Sequence, residues 1–417
     1  MTVRVPMAAL AVVAAGVSVA LHLGKLSPAI PALQSTLGLS LVEAGFMLSL
    51  VQLASMTLGL AVGLAADAIG LRRSMLIGLV IATTASVLGG VAGQFASPWV
   101  VAWLLLLRAI EGLGFLLVVM PAPGLIRAMT PPGAEKAALG IWGAYMPLGV
   151  ALALLCGPGL IAWAGWPGWW WVLSLLSGGA ALWVARVVPA DGPRGKGPAE
   201  ADWRSRLKTT LAAPGPWFVS LAFAVYSSQW MAVIGFLPSI YAEAGVPSGW
   251  SAVLTATAAA MNIVGNIAGG RWLQRGLAPA QLLRIGYGVM ALGSIMAFAQ
   301  WGQGAHAMGL PPALRYVAVC VFSLFGGAVP ATLFMLAVRL APGPATVSTT
   351  VGMMQQASAF GQFIAPPLVA WIAHRVGGWQ WTWTVTAACS IAGIVLASRL
   401  PGMGRRATAG IAVKKSR

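Results

Sequence analysis

The chain has 417 residues, of which 59% are hydrophobic and only 8% charged, whereas an ordinary soluble domain carries roughly 25% charged residues. With a mean hydropathy of +0.85, such a chain is not an ordinary soluble domain, and its 52 glycines and 19 tryptophans fit helices packed in a bilayer with indoles at the interfaces. The formal net charge of +17 would point to nucleic acid in a soluble protein, so the basic residues must be placed before they are assigned a partner.

The first stretch, Met1 to Ala20, imitates a signal peptide, with Arg4 ahead of an apolar run and Ser18-Val19-Ala20 as a cleavage-like box. The run continues to about Leu33, however, which is long enough to cross roughly 30 Å of hydrocarbon, so it reads as a first span. Apolar stretches follow at 42–66, 73–95, 98–120, 136–163 and 168–188, giving six with 7–33. After a polar segment, Pro189 to Ala213, six more fall at 215–242, 250–271, 281–303, 313–339, 345–373 and 379–399. The expected fold is therefore an all-α integral membrane protein of twelve helices in two pseudo-symmetric bundles. The expected division is 1–188, a cytoplasmic linker at 189–214, 215–400, and a basic tail at 401–417.

With the N-terminus in the cytoplasm, the inner segments collect Arg4, Arg72, Arg73, Arg127, Lys136, Arg186 to Lys208, Arg271, Arg275, Arg284, Arg339 and the tail from Arg399. The outer segments hold only Arg315 and Arg375, so the positive charge orients the chain and needs no nucleic acid. In the tail, Arg405, Arg406, Lys414, Lys415 and Arg417 read as a solvated orientation signal, with anionic lipid as the alternative. Cys156, Cys320 and Cys389 each stand alone in an apolar run, without metal or redox spacing.

The halves also echo each other. Pro31 and Gly63 recur as Pro238 and Gly270, and Gly168-Trp169-Trp170-Trp171 recurs as Gly378-Trp379-Gln380-Trp381. The common order points to two parallel bundles with a solute site near the midplane.

The turn Gly63-Leu64-Ala65-Ala66-Asp67-Ala68-Ile69-Gly70-Leu71-Arg72-Arg73 resembles the GxxxDxxGRR-like loop signature of the major facilitator superfamily. Ala68 and Leu71 stand where the family often has basic residues. Arg108-Ala109-Ile110-Glu111-Gly112-Leu113-Gly114 is similar to that family's RxxxG-type fourth-helix motif, and the Gly-Trp-x-Trp clusters to its signature before the last helix of each half. The resemblance implies a secondary transporter working by alternating access, with a cytoplasmic gate at Gly63, Asp67, Gly70, Arg72 and Arg73. It also implies that spans one and four line a central cavity. Span five, Gly143-Ala144-Tyr145-Met146-Pro147-Leu148-Gly149, lacks the glycine usual in drug/proton antiporters at Met146, and Gly140 to Gly149 is more similar to the cyanate and nitroimidazole permease branch.

Ionisable side chains in mid-membrane are costly and are functional candidates by default. His22 and Lys25 share one face of span one, and Arg108 and Glu111 one face of span four. At 1.5 Å per residue, Lys25 and Arg108 lie about 12 Å and about 15 Å from the outer ends of their spans, hence at similar depth. Two cations against one carboxylate favour a small organic or inorganic anion, with Lys25 and Arg108 as ligands and His22 and Glu111 as proton-coupling candidates. A helix-internal Arg108–Glu111 pair is the structural alternative. Polar groups from the second half complete the expected substrate set: Tyr226, Gln229 and Trp230, then Asn262 with Asn266, and Gln355 with Gln356 and Gln362.

The rival reading is a proton-driven multidrug or metabolite exporter coupled through Glu111. A membrane enzyme is disfavoured, because His22, His306 and His374 are scattered and no His-Glu-x-x-His motif occurs. The expected partners are a small-molecule substrate, protons and membrane lipid. No cofactor is expected, a monomer is the default, and the expected location is a bacterial inner membrane with both termini cytoplasmic.

Overall fold

The computed structural model describes residues 6–95, 98–131, 138, 141–191, 203–300, 309–343 and 346–415, and their side chains except at 60, 63–68, 203, 348 and 401–415. Lys136, His306, the Asp67 side chain and the basic side chains of the tail lie outside the described residues. Among the described residues the structure is helical, without strands.

The first spans are interrupted helices: α1 (Met7–Gly24) with α2 (Leu26–Leu37), then α3 (Leu41–Leu50) with α4 (Leu53–Ile69). They are followed by α5 (Leu71–Ala92), α6 (Val100–Val119), the short α7 (Ala122–Met129) and α8 (Tyr145–Val187). Beyond these come α9 (Trp203–Ala212) in the linker, α10 (Pro214–Glu243), α11 (Ser248–Gln274), α12 (Pro279–Phe298), α13 (Pro312–Leu340), α14 (Val347–Val376) and α15 (Thr382–Lys415).

Ten segments of the described residues are long and apolar enough to cross a membrane. One of them, α8, is 43 residues long and turns at Gly165 (φ 69, ψ 171), a conformation that suits glycine, so it supplies two spans. The 30-residue α14 is the remaining long helix, which brings the layout to the twelve expected.

The chain divides into two compact units. The first comprises Met1–Gly195 with Met231–Ala260 and Phe363–Arg375. Here α1 packs along α8, and α5 packs on α6 and α8, around Val12, Val19, Leu79, Phe115, Val118 and Val184. Small residues let the backbones approach: a Cβ at Gly78 would lie 2.6 Å from the Gly114 carbonyl oxygen, and one at Gly114 would lie 2.7 Å from that of Gly78. The second unit comprises Lys196–Trp230, Met261–Gln362 and Val376–Arg417. Its α12 packs on α13 and α15, and Gly265 of α11 would place a Cβ 1.6 Å from the Leu324 carbonyl oxygen of α13.

Candidate functional site

The break between α1 and α2 follows from Pro28, which has no N–H to offer the Gly24 carbonyl and whose ring crowds it. Around the break, backbone carbonyls find side-chain donors. Arg108 of α6 donates from Nη1 to the His22 carbonyl and from Nη2 to that of Leu23 (2.9 Å), while the Trp169 indole N–H donates to the Lys25 carbonyl (3.1 Å). The same guanidinium reaches the neighbouring interrupted span, donating from Nε to the Met47 carbonyl in α3 (3.1 Å). One turn along α6, Gly112 faces the break between α3 and α4, where a Cβ would lie 2.2 Å from the Val51 oxygen. Arg108 thus satisfies carbonyls at two helix interruptions, which a hydrocarbon solvent would leave unpaired.

The charges converge on one carboxylate. Glu111 accepts from Arg108 Nη1 at Oε2 (3.0 Å) and from the Lys25 ammonium at Oε1, and His22 Nδ1 lies 3.5 Å from that same Oε1. Lys25 also donates to Ser86 Oγ (3.2 Å), itself bonded to the Trp170 carbonyl (2.9 Å), and its ammonium stands 4.6 Å from the centre of the Trp170 ring. His22 Nε2 is 3.2 Å from Ser177 Oγ, and Ser177 continues to Thr83 at 2.8 Å. All four ionisable groups are at most 2% exposed. With His22 neutral the cluster carries a formal +1, from two cations and one carboxylate. Beside it runs a narrow pocket lined by Leu26, Met47, Leu104, Leu107, Arg108, Glu111 and Trp170, with room on the order of a single water molecule.

The polar residues of the second half pair with one another inside the second unit. The Asn262 amide donates to the Tyr226 hydroxyl (2.9 Å) and to the Ser323 carbonyl (3.1 Å), and the Trp230 indole N–H reaches Ser323 Oγ (3.2 Å). Gln229 accepts from Ser390 Oγ (2.9 Å), and Gln362 donates to Ser358 Oγ (3.1 Å). Gln355, Gln356 and Asn266 are half-buried. Where Gly112 meets Val51 in the first unit, Gly327 of α13 meets the Asn262 carbonyl of α11 in the second, at 2.0 Å for an added Cβ. The internal repeat therefore extends to the tightest crossings, while the ion cluster belongs to the first half.

In the turn from Gly63 to Arg73, Gly70 caps α5 at φ 124, a left-handed value that excludes most side chains, and Arg72 Nη2 donates to the Ala185 carbonyl (2.7 Å). The observed α5 N-terminal contacts come from a residue that sequence reasoning missed. Asp191 accepts from the backbone N–H of Arg72 (3.1 Å) and of Arg73 (3.0 Å). Its only signal was an acidic residue among the basic ones of the linker, and nothing local said which helix start it would meet. Gly63 and Asp67 lie in the last turns of α4.

A family model described as Major Facilitator Superfamily matches residues 8–360. The chain is 31% identical over 205 residues to the Puromycin resistance protein pur8 of Streptomyces alboniger, covering 48% of this chain and 38% of that protein. It is 29% identical over 198 residues to the Tetracenomycin C resistance and export protein of Streptomyces glaucescens, covering 47% and 36%. These matches thus span little more than a third of the relatives' own length. Among solved structures, a bacterial homolog to the human lysosomal transporter Spinster is similar in its inward-facing occupied form, with TM-score 0.73, 18% identity, and 95% and 96% of the two chains covered. Its inward-facing unoccupied form gives TM-score 0.70 at 17% identity, covering 96% of each. At such identities the likeness establishes the fold alone.

Proposed function

The chain belongs to the major facilitator superfamily of membrane transporters, and from that premise we propose that it exports amphipathic organic compounds in exchange for protons. The observation that carries this reading is the buried cluster itself: a carboxylate, a lysine and a histidine within contact inside the apolar helices, held by an arginine whose donors go largely to backbone carbonyls. Such a group of titratable side chains fits proton handling. The names of the resistance and export relatives support the direction and the substrate class.

In this reading Glu111, Lys25 and His22 carry the coupling and Arg108 positions them. Tyr226, Gln229, Trp230, Asn262 and Gln355 contribute to substrate binding from the second half. The halves 1–188 and 215–400 rock about the site in alternating access, joined by the linker 189–214, with Gly63, Asp67, Gly70, Arg72 and Arg73 controlling the cytoplasmic gate. The protein acts as a monomer in a bacterial inner membrane, with both termini and the 401–417 tail in the cytoplasm.

The test is flux into proteoliposomes of a panel of radiolabelled organic compounds under an imposed pH gradient. Gradient-driven flux that falls at least about tenfold in Glu111→Gln is expected, on the scale of losing a coupling group. Flux that ignores the gradient, or survives in that variant, overturns the reading.

A second reading, transport of a small organic or inorganic anion, draws on the formal +1 of the cluster. It requires saturable anion flux that Lys25→Ala and Arg108→Ala both remove. Anion flux unchanged in both variants dismisses it.

A further inference from the structure

We infer that Glu111, Ser86 and the face of Trp170 form a binding site for an organic ammonium ion, which the chain's own Lys25 fills in this structure, and that the ligand enters by displacing the Lys25 proton. The inference rests on the exporter reading and names its substrate class.

The contacts of Lys25 are those that any alkylammonium would seek. Glu111 supplies the counter-charge, Ser86 Oγ accepts at 3.2 Å, and the Trp170 ring presents its negative face 4.6 Å from the nitrogen. The site is prepared on a rigid frame. The other oxygen of Glu111 is held by Arg108, itself tied to carbonyls of Met47 and Leu23, and Ser86 is bonded to the Trp170 carbonyl. The adjoining pocket, narrow in this structure, has Leu26, Met47, Leu104 and Leu107 for walls, so an apolar group attached to the ammonium meets matching surface next to Glu111 and Trp170 once these side chains move apart to admit it.

Charge governs the arrival of a second ammonium. The groups with charge or titratable protons around Lys25 are Glu111 and Arg108 on α6 and His22 on α1, while α5 presents Ser86 and α8 presents Trp170. A second ammonium beside the one carboxylate, which already answers Arg108, would raise the buried cluster from a formal +1 to +2. Lys25 therefore passes from –NH₃⁺ to –NH₂ as its proton leaves to water. The site's charge is unchanged, no other bond is made or broken, and one ligand cation has entered for one proton released. A tethered lysine is thus the device by which cation binding and proton release become one event.

Purified protein in detergent, titrated with phenethylammonium as the probe, tests this. Between about pH 6 and 8 the probe stays protonated, as amines of its kind titrate near pH 10. Affinity is then expected to rise about tenfold per pH unit, with about one proton released per probe bound when counted by calorimetry in buffers of different ionisation heat. Lys25→Ala and the bulkier Lys25→Met should bind the probe at least about tenfold more tightly at the lower pH and lose the pH slope, whereas His22→Gln keeps it. Phenethyl alcohol, of the same shape without the charge, should not bind.

A pH-independent affinity in the unaltered protein overturns the inference and needs no variant to be seen. So does equal binding of the alcohol, or an unaltered slope without Lys25. Proton-driven flux of neutral compounds, lost in Glu111→Gln but without phenethylammonium binding, sinks this inference and leaves the exporter reading standing. Absence of both flux and binding removes both.

Discussion

Arg108 and Glu111 sit one helical turn apart and are both buried, but their partners differ in kind. Arg108 directs its planar fork at fixed backbone carbonyls of three residues in two other helices, whereas Glu111 meets side chains that carry protons. An ammonium cannot reproduce the fork. Arg108→Lys is therefore expected to lower stability by about 2 to 5 kcal/mol, the scale of breaking a buried charged network, read as a fall in the detergent unfolding midpoint. A midpoint unchanged in Arg108→Lys would remove the bracing role. Gly112 makes a separate case, since any side chain there meets Val51 backbone, and Gly112→Ala should cost about 1 to 3 kcal/mol by overpacking. Thermal unfolding measured by the intrinsic tryptophan signal reads it directly.

At the scale of elements, glycine-mediated crossings and interrupted helices have different consequences. The α11–α13 crossing has glycines on both sides, Gly265 against Leu324 and Gly327 against Asn262. Either one replaced by Ala forces the two backbones apart, so the second replacement should add little. A double-mutant cycle should show a coupling of about 0.5 to 3 kcal/mol, and simple additivity would mean that the two contacts are independent. The α5 N-terminus depends on Asp191, whose carboxylate receives two backbone N–H groups beside the positive end of the helix. Asp191→Ala should cost about 0.5 to 2 kcal/mol, as for loss of a cap, and hydrogen exchange should rise first at Arg72 and Arg73. Uniform exchange over the whole helix would argue against a local cap.

At the scale of the whole molecule, many large apolar side chains are exposed, among them Trp163 at 81% and Leu175 at 75%. In water this surface would aggregate, while in a bilayer it is the lipid-facing surface, with indoles suited to its boundaries. The distribution of arginines predicts a cytoplasmic linker. A single cysteine introduced at Thr209, after the three native ones are replaced by serine, should react with a membrane-impermeant maleimide in inverted vesicles and not in intact cells. The opposite pattern would reverse the orientation.

The twelve-span layout, the division of positive charge and the family motifs were legible in the sequence. Hydrocarbon thickness acts on each apolar segment separately, and Arg108 and Glu111 are neighbours along one helix face. His22 and Lys25 were legible too, on a shared face and at a matching depth. No local pattern told that Lys25 would meet Glu111 across 86 residues of chain, or that Arg108 would turn to Met47 across 61. Nor did any foretell that Asp191, from the linker, would cap α5. Periodicity and hydropathy specify which face of a helix is apolar and how long it must be. Which two faces meet, and at what height, is set by glycine crossings and helix breaks acting together, and only the tertiary structure decided that the mid-membrane charges form one cluster.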